Sequence, residues 1–194
     1  MMKEKKQPFV CPVWISKSLD LGLRRRLHDP QKILAPYVQE GMAALDLGCG
    51  PGFFTLELAR LVGPAGRVTA ADLQEGMLAK VKGKVTAAGM AAAVSFHHCG
   101  RETIGLEDKF DFILLFWMLH EVPDQARFLR EISALLKANG RVLVAEPMWH
   151  VSRKKFQGSV NLMKEAGLEI EDEPRIRFSR AVVAKSAGNE TLAN

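Results

Sequence analysis

Asp46 closes an apolar run and stands just before Gly48, Gly50 and Gly52 in "ALDLGCGPGFFT"; Asp72 closes a second apolar run, "RVTAAD". Glycines in such a turn let the backbone bend sharply and approach a ligand at contact distance. A turn from strand to helix also gathers backbone N–H groups and the positive end of the helix in one place. A dinucleotide fingerprint counted from Gly48 requires a glycine where Phe53 stands, so the spacing is GxGxG and argues against a bound pyrophosphate. A carboxylate at Asp46 would repel phosphate and suit an ammonium group, whereas Asp72 suits the two hydroxyls of a ribose. Asp72 alone would serve a nicotinamide dinucleotide equally well. The two acids around the glycine turn together point to a ligand with a ribose and a cationic amino group and no phosphate.

A second set of chemistry-bearing residues lies further along, in "FWMLHEVPD" and "EPMWH". His120 and Glu121 are candidate catalytic groups, because a histidine titrating near neutrality can take a proton from a phenol, thiol or enol. A histidine at the start of a helix can equally be structural, and Glu146 carries the same two readings. Phe116, Trp117, Trp149 and Trp14 are candidates for a dry aromatic acceptor pocket, with ordinary packing the alternative and the better one for Trp117. No metal site is expected: Cys11, Cys49 and Cys99 are scattered and form no CxxC pair, which argues against a zinc site, a disulfide framework and thiolate capture of a metalloid.

These residues need elements to hold them. Apolar runs at 43–49, 67–73, 93–99, 110–117 and 141–147 alternate with amphipathic stretches at 54–63, 75–90 and 124–140, the pattern of a parallel sheet with helices on both faces. Asp124 is a candidate N-cap for the third stretch and Asn139-Gly140 its stop. A further helix at 154–168, ended by Gly167, precedes "EIEDEPRIR" and "SRAVVAKS", which pair antiparallel. The expectation is an α/β, Rossmann-like sheet of seven mostly parallel strands, the last antiparallel. Upstream, "LRRRLHDPQKILAPYV" reads as helix broken at Asp29-Pro30. Residues 1–30 form an N-terminal segment that could cover an acceptor site, 31–186 one domain, and 187–194 a tail expected to fray.

At 194 residues and 47% hydrophobic content the chain can bury one substantial core. No apolar run approaches the roughly 20 residues of a membrane span, and the first residues lack a secretory pattern, so a cytoplasmic protein is expected. The net charge of +5 is gathered partly in Arg24–Arg26 and Arg153–Lys155. Without interleaved aromatics, such runs are more often a solvated face than a nucleic-acid surface.

In order, "LDLGCGPGFFT", "VTAADLQEGML", "FDFILLFWMLHEVPD" and "LLKANGRVLVAEP" resemble blocks of the class I S-adenosylmethionine-dependent methyltransferases, in the group that includes ubiquinone- and menaquinone-biosynthesis-like enzymes. The resemblance runs from about Ile33 to Ser186. It implies a cofactor, S-adenosylmethionine, held by the turn of Gly48, Cys49, Gly50 and Gly52, with Asp46 near its aminoacyl end, Asp72 on the ribose, and Leu73, Met77 and Phe116 against it. The family often has an acid after the third strand for the adenine amino group. Here Cys99, Gly100 and Arg101 stand there, which leaves the adenine edge to backbone groups. The implied activity is in-line methyl transfer to a small, aromatic or lipophilic acceptor. The competing readings are an RNA methyltransferase, which "FWML" in place of an asparagine-proline-proline-tyrosine tetrapeptide disfavours, and a module that binds the cofactor without turning it over.

Overall fold

A computed structural model describes residues 27–186. Trp14, Cys11, most of the 1–30 segment and the 187–194 tail lie outside the described residues. Seven strands, β1 (Ala43–Leu47), β2 (Arg67–Asp72), β3 (Val94–His98), β4 (Phe110–Phe116), β5 (Leu136–Pro147), β6 (Leu168–Asp172) and β7 (Ser179–Ser186), form one sheet in the order β3-β2-β1-β4-β5-β7-β6. Every neighbour among β1 to β5 is parallel; β7 runs antiparallel to β5 on one side and β6 on the other. The last strand is antiparallel as expected, but it is inserted inside the sheet rather than added at its edge. The helices are α1 (Pro30–Leu34), α2 (Thr55–Val62), α3 (Glu75–Ala87), α4 (Gln125–Leu135) and α5 (Arg153–Glu165).

Successive strand residues point to opposite faces, and both faces are covered. Ala44, Phe112, Leu114 and Leu143 pack with Leu58, Val62, Val81 and Val85 of α2 and α3. Leu45, Leu47, Ile113, Leu115 and Val144 pack with Leu129, Ile132, Val160 and Met163 of α4 and α5. With both faces apolar, alternation alone does not fix register. Polar ties do so here: the Asp111 carboxylate accepts from Ala43 N–H at 2.8 Å and from Lys137 Nζ at 2.7 Å, pinning the starts of β1, β4 and β5 to one another.

One helix start follows the cap expected from sequence, Asp124, and another is capped by Asp29, which the sequence marked only as a helix break. Asp29 accepts from the N–H groups of Gln31 and Lys32 ahead of Pro30, and Asp124 from that of Arg127. The third amphipathic stretch does not run to Gly140. Helix α4 stops at Leu135, and Leu136 is already extended and registered against Phe110. Asn139 and Gly140 instead shape an irregularity in β5: Asn139 takes φ 62°, and a Cβ on Gly140 would stand 2.8 Å from the Phe110 carbonyl oxygen. The Asn-Gly pair is a backbone punctuation mark, as read, but it serves a strand. No helix among the described residues is long and apolar enough to cross a membrane.

Candidate active site

The strand order reverses at β1, which lies between β2 and β4, and the crevice beyond the carboxyl ends of the strands there is where such sheets hold ligands. The glycine turn occupies it. Gly48, Gly50 and Gly52 have φ of 72°, 52° and 82°, values that favour glycine. Their surroundings differ. A Cβ on Gly48 would stand 2.9 Å from Met118 Cγ and one on Gly52 3.1 Å from Val81, so these two glycines admit protein neighbours. A Cβ on Gly50 would meet nothing within 4 Å. Gly50 therefore faces open space, a place for a ligand to touch the main chain.

Asp72 frames that space. Its carboxylate accepts from Gly50 N–H and from Gln74 N–H, each at 2.9 Å, and it is 7% exposed. Burial pushes its pKa up, opposed by those backbone donors. Each carboxylate oxygen has further lone pairs, so the group is fixed in place without being saturated. Leu73, Gln74, His98, Cys99, Gly100 and Arg101 line an open cleft of about 450 Å³ beside it, at the ends of β2 and β3. His98 donates from Nε2 to the Leu73 carbonyl at 2.9 Å and so ties the two lips of the cleft together. Burial pushes the Cys99 thiol up to about 12, with the Asp72 and Glu131 charges adding to the shift. The structure thus gathers Asp72, Leu73 and Cys99–Arg101 as the sequence reading grouped them. Met77, by contrast, is 3% exposed in α3 and does not line the cleft.

Asp46 is 3% exposed, with Thr55 Oγ1 donating to it at 2.5 Å from the first position of α2. The carboxylate is held under the turn, and the tie fixes the helix start against the strand end. Thr55 was not singled out from sequence, although a threonine at a helix start beside a strand-end acid is the available signal. Burial also drives the Cys49 thiol upward.

On the other side of β1, the ends of β4 and β5 meet. His120 Nδ1 lies 2.7 Å from Glu146 Oε2, and the backbone N–H groups of Leu119 and His120 donate to the same carboxylate at 3.0 and 3.1 Å. Glu146 is 1% exposed. Three charge-assisted donors hold it, so the carboxylate bonded to His120 is Glu146 and not the adjacent Glu121. Because an ionised carboxylate only accepts, Nδ1 carries the proton and Nε2 is the basic nitrogen of the neutral ring. The Glu146 hydrogen bond raises the His120 pKa against the opposing effect of partial burial, with the Glu146 and Glu121 charges adding to it. The His150 ring stacks on His120 at 5.8 Å, a neighbour that sequence reasoning missed.

The aromatic candidates converge in part. Trp117 meets Trp149 edge-on at 4.9 Å, Trp149 meets Phe178 at 6.3 Å, and Phe116 packs on Phe54 at 4.4 Å. Trp117 is partly buried against the core, anchored by Nε1 donating to Ser179 Oγ at 2.9 Å, while Phe116 is 8% exposed and Trp149 60%. His28 joins them, 4.9 Å from Trp117, and its Nε2 donates to the Arg177 carbonyl at 2.7 Å. No pattern in "LRRRLHDP" indicated that role.

Residues 38–180 match the model of a family described as a methyltransferase domain. The chain is 32% identical to the ubiquinone/menaquinone biosynthesis C-methyltransferase UbiE of Klebsiella pneumoniae (strain 342), across 98% of this chain and 81% of that protein. It is 36% identical to the demethylmenaquinone methyltransferase of Bacillus cytotoxicus over 56% of this chain, and that match spans just under half of the relative's length, 46%. Among solved structures, a SAM-dependent methyltransferase from Aquifex aeolicus superposes with a TM-score of 0.82 at 27% identity, covering 91% of this chain and 99% of the other.

Proposed function

The chain belongs to the class I methyltransferases of ubiquinone/menaquinone type, and from that premise we propose that it transfers a methyl group from S-adenosylmethionine to a lipophilic, quinol-like acceptor. The observation that carries the proposal is the open space at Gly50 beside the fixed Asp72 carboxylate. A nucleoside fits there: Asp72 accepts from the ribose hydroxyls, Leu73 covers the base, and Cys99, Gly100 and Arg101 bound its edge. The buried acids Asp46, Asp72 and Glu146, at the ends of β1, β2 and β5, give the crevice a negative lining that favours a ligand carrying positive charge. Such a lining disfavours a dinucleotide diphosphate.

When bound, the sulfonium supplies an already activated methyl group. The chain's own task is then alignment, exclusion of water and proton removal. His120 Nε2 accepts the proton of an acceptor hydroxyl, and Glu146 holds the ring in the tautomer that makes Nε2 the base. Loss of that proton raises electron density at the acceptor atom and so readies it for the methyl group that the bound sulfonium would supply. Trp117, backed by Trp149, forms an apolar wall beside this pair, and we assign residues 1–30, with Trp14, to the acceptor side of that wall.

Calorimetric titration of the purified protein with S-adenosylmethionine, S-adenosylhomocysteine and NAD tests the reading, with Asp72→Ala alongside. Binding of the first two, lost in the variant, is expected. Binding of NAD alone would overturn it, and cofactor binding with no turnover on any quinol would reduce the protein to a binding module.

A further inference from the structure

Among the described residues, Met148, Trp149 and Phe178 are the large hydrophobic side chains left exposed, at 48%, 60% and 45%. They form one patch. Met148 N–H donates to the Phe178 carbonyl at 3.0 Å, and Arg180 Nε donates to the Val151 carbonyl at 3.2 Å, so the loop after β5 and the turn before β7 are bound into a single surface. Trp149 is braced by Trp117 from beneath.

The patch has a cationic rim. Arg153, Lys154 and Lys155 are exposed on its α5 side, and Arg175 and Arg177 on its β7 side, where the Arg177 guanidinium sits 5.0 Å over the Phe178 ring. Segments 148–155 and 173–180 contain one acid between them, Glu173. The placement of the first three cations is also locally unfavourable. They occupy the first turn of α5, where the helix dipole favours acids, and no acid is present there. Residues that break a local rule without a local gain mark a surface kept for another purpose.

We infer that this patch seats the protein on an anionic lipid bilayer: Trp149 and Phe178 enter the headgroup boundary while Arg153, Lys154, Lys155, Arg175 and Arg177 meet the acidic headgroups. Aromatic side chains favour that boundary, and each cation near an anionic surface strengthens attachment within a Debye length. The charge pattern selects this occupant over a second apolar protein surface, which would leave the cations unmatched. The inference goes beyond the methyl-transfer reading and does not depend on it.

Sedimentation of the full chain with phosphatidylcholine vesicles, with and without phosphatidylglycerol, is the test. Binding only to the anionic vesicles, weakening with salt, is expected, together with a blue shift of tryptophan emission. Lys154→Glu with Lys155→Glu is expected to lower the partition by at least about twenty-five-fold, on the order of fivefold per cation. Phe178→Gly gives an independent arm: Phe178 holds φ 58°, so glycine relieves backbone strain while removing the ring, and vesicle binding should fall without loss of thermal stability. Absence of binding to anionic vesicles at low salt, or undiminished binding by these variants, overturns the inference. Equally, an RNA oligonucleotide bound through the same lysines while vesicles are ignored would overturn it in favour of a nucleic-acid surface. Cofactor titration on the same samples separates failure here from failure of the methyltransferase reading.

Discussion

Gly50→Ala and Gly89→Ala form a matched pair. Both glycines have positive φ, 52° and 70°, and at both an added Cβ would meet no protein atom within 4 Å. They differ in place: Gly50 lies in the turn after β1, at the carboxyl ends of the strands, and Gly89 beyond the end of α3, ahead of the amino end of β3. Left-handed backbone costs an L-residue roughly 1–2 kcal/mol, and replacing glycine returns about 0.4–1 kcal/mol by restricting the unfolded chain. Each variant should therefore lose between about zero and 1.6 kcal/mol, a fall in Tm of at most about 6 °C at roughly 2–4 °C per kcal/mol for a chain of this size. Clash with the rest of the protein adds nothing in either case. The pair should then part company in calorimetric titration with S-adenosylmethionine. Gly89→Ala should bind as the wild type does, whereas Gly50→Ala places a methyl group in the space assigned to the ligand and should lose at least about tenfold in affinity, or roughly 1.4 kcal/mol. Wild-type affinity in Gly50→Ala, at a stability matched to Gly89→Ala, would show that the open space is not where the nucleoside rests.

The His120–Glu146 pair carries a pH signature. With the His120 pKa raised by Glu146, the rising limb of kcat/KM that reports its deprotonation should lie above the ordinary histidine value of about 6.5, and Glu146→Gln should move that limb down; an unmoved limb would remove His120 from catalysis. The same raised pKa gives stability that is full below the unfolded value and lost as pH rises through the folded one, so Glu146→Gln should be most destabilising at acid pH, as denaturant titration at two pH values would detect. Thr55→Val removes the hydroxyl that donates to the buried Asp46 carboxylate and is expected to cost about 1–3 kcal/mol in chemical denaturation, more than a surface threonine would. Deleting residues 1–26, short of His28, should reduce acceptor turnover more than cofactor affinity; equal losses would remove that segment from the acceptor site.

The sheet was legible because its information is local. Apolar runs such as "FDFILLF" and "RVLVAEP" sit between amphipathic helices, and each expected strand coincides with an observed one to within a few residues. The exception lies in 124–140, where helical periodicity and strand pairing both fit Leu136 and only the tertiary partner Phe110 decides. Asp72 was legible for a similar reason: a charge at the end of an apolar strand must have partners. The bond from His120 to Glu146 was not, since twenty-six positions separate the two residues and no spacing rule links the ends of adjacent parallel strands. His28 was hidden more completely. Its contacts with Phe116 and Trp117 arise from the path of the chain over the sheet, which leaves no trace in the residues around it.

Backbone strain is distributed unevenly between the two ends of the sheet. Outside the turn after β1, positive φ falls on Gly41, Gly63, Gly89, Gly105 and Gly167 and on Asn139, residues that adopt it at little cost. Where β1 to β5 end and β7 begins, it falls on the three glycines of the turn and also on Trp117 and Phe178, at 60° and 58°. For bulky side chains that conformation costs on the order of 1–3 kcal/mol and persists only where surrounding contacts hold it. Those contacts are visible: Trp117 N–H donates to the Ala145 carbonyl at 2.7 Å and its indole to Ser179, while Ser179 N–H closes the turn around Phe178 on the Ile176 carbonyl at 3.0 Å. At Phe178, 45% exposed, a glycine would relieve that strain, whereas at Trp117 the ring's packing on His28, Phe116 and Trp149 and its bond to Ser179 offset it. An indole and a phenyl ring thus stand in strained backbone on the end of the sheet where the crevice opens, the first held there by its own packing. Trp117→Gly should accordingly lose acceptor turnover out of proportion to stability, because its ring backs Trp149 beside the His120–Glu146 pair. A variant that became more stable and kept full turnover would show the strain to be incidental.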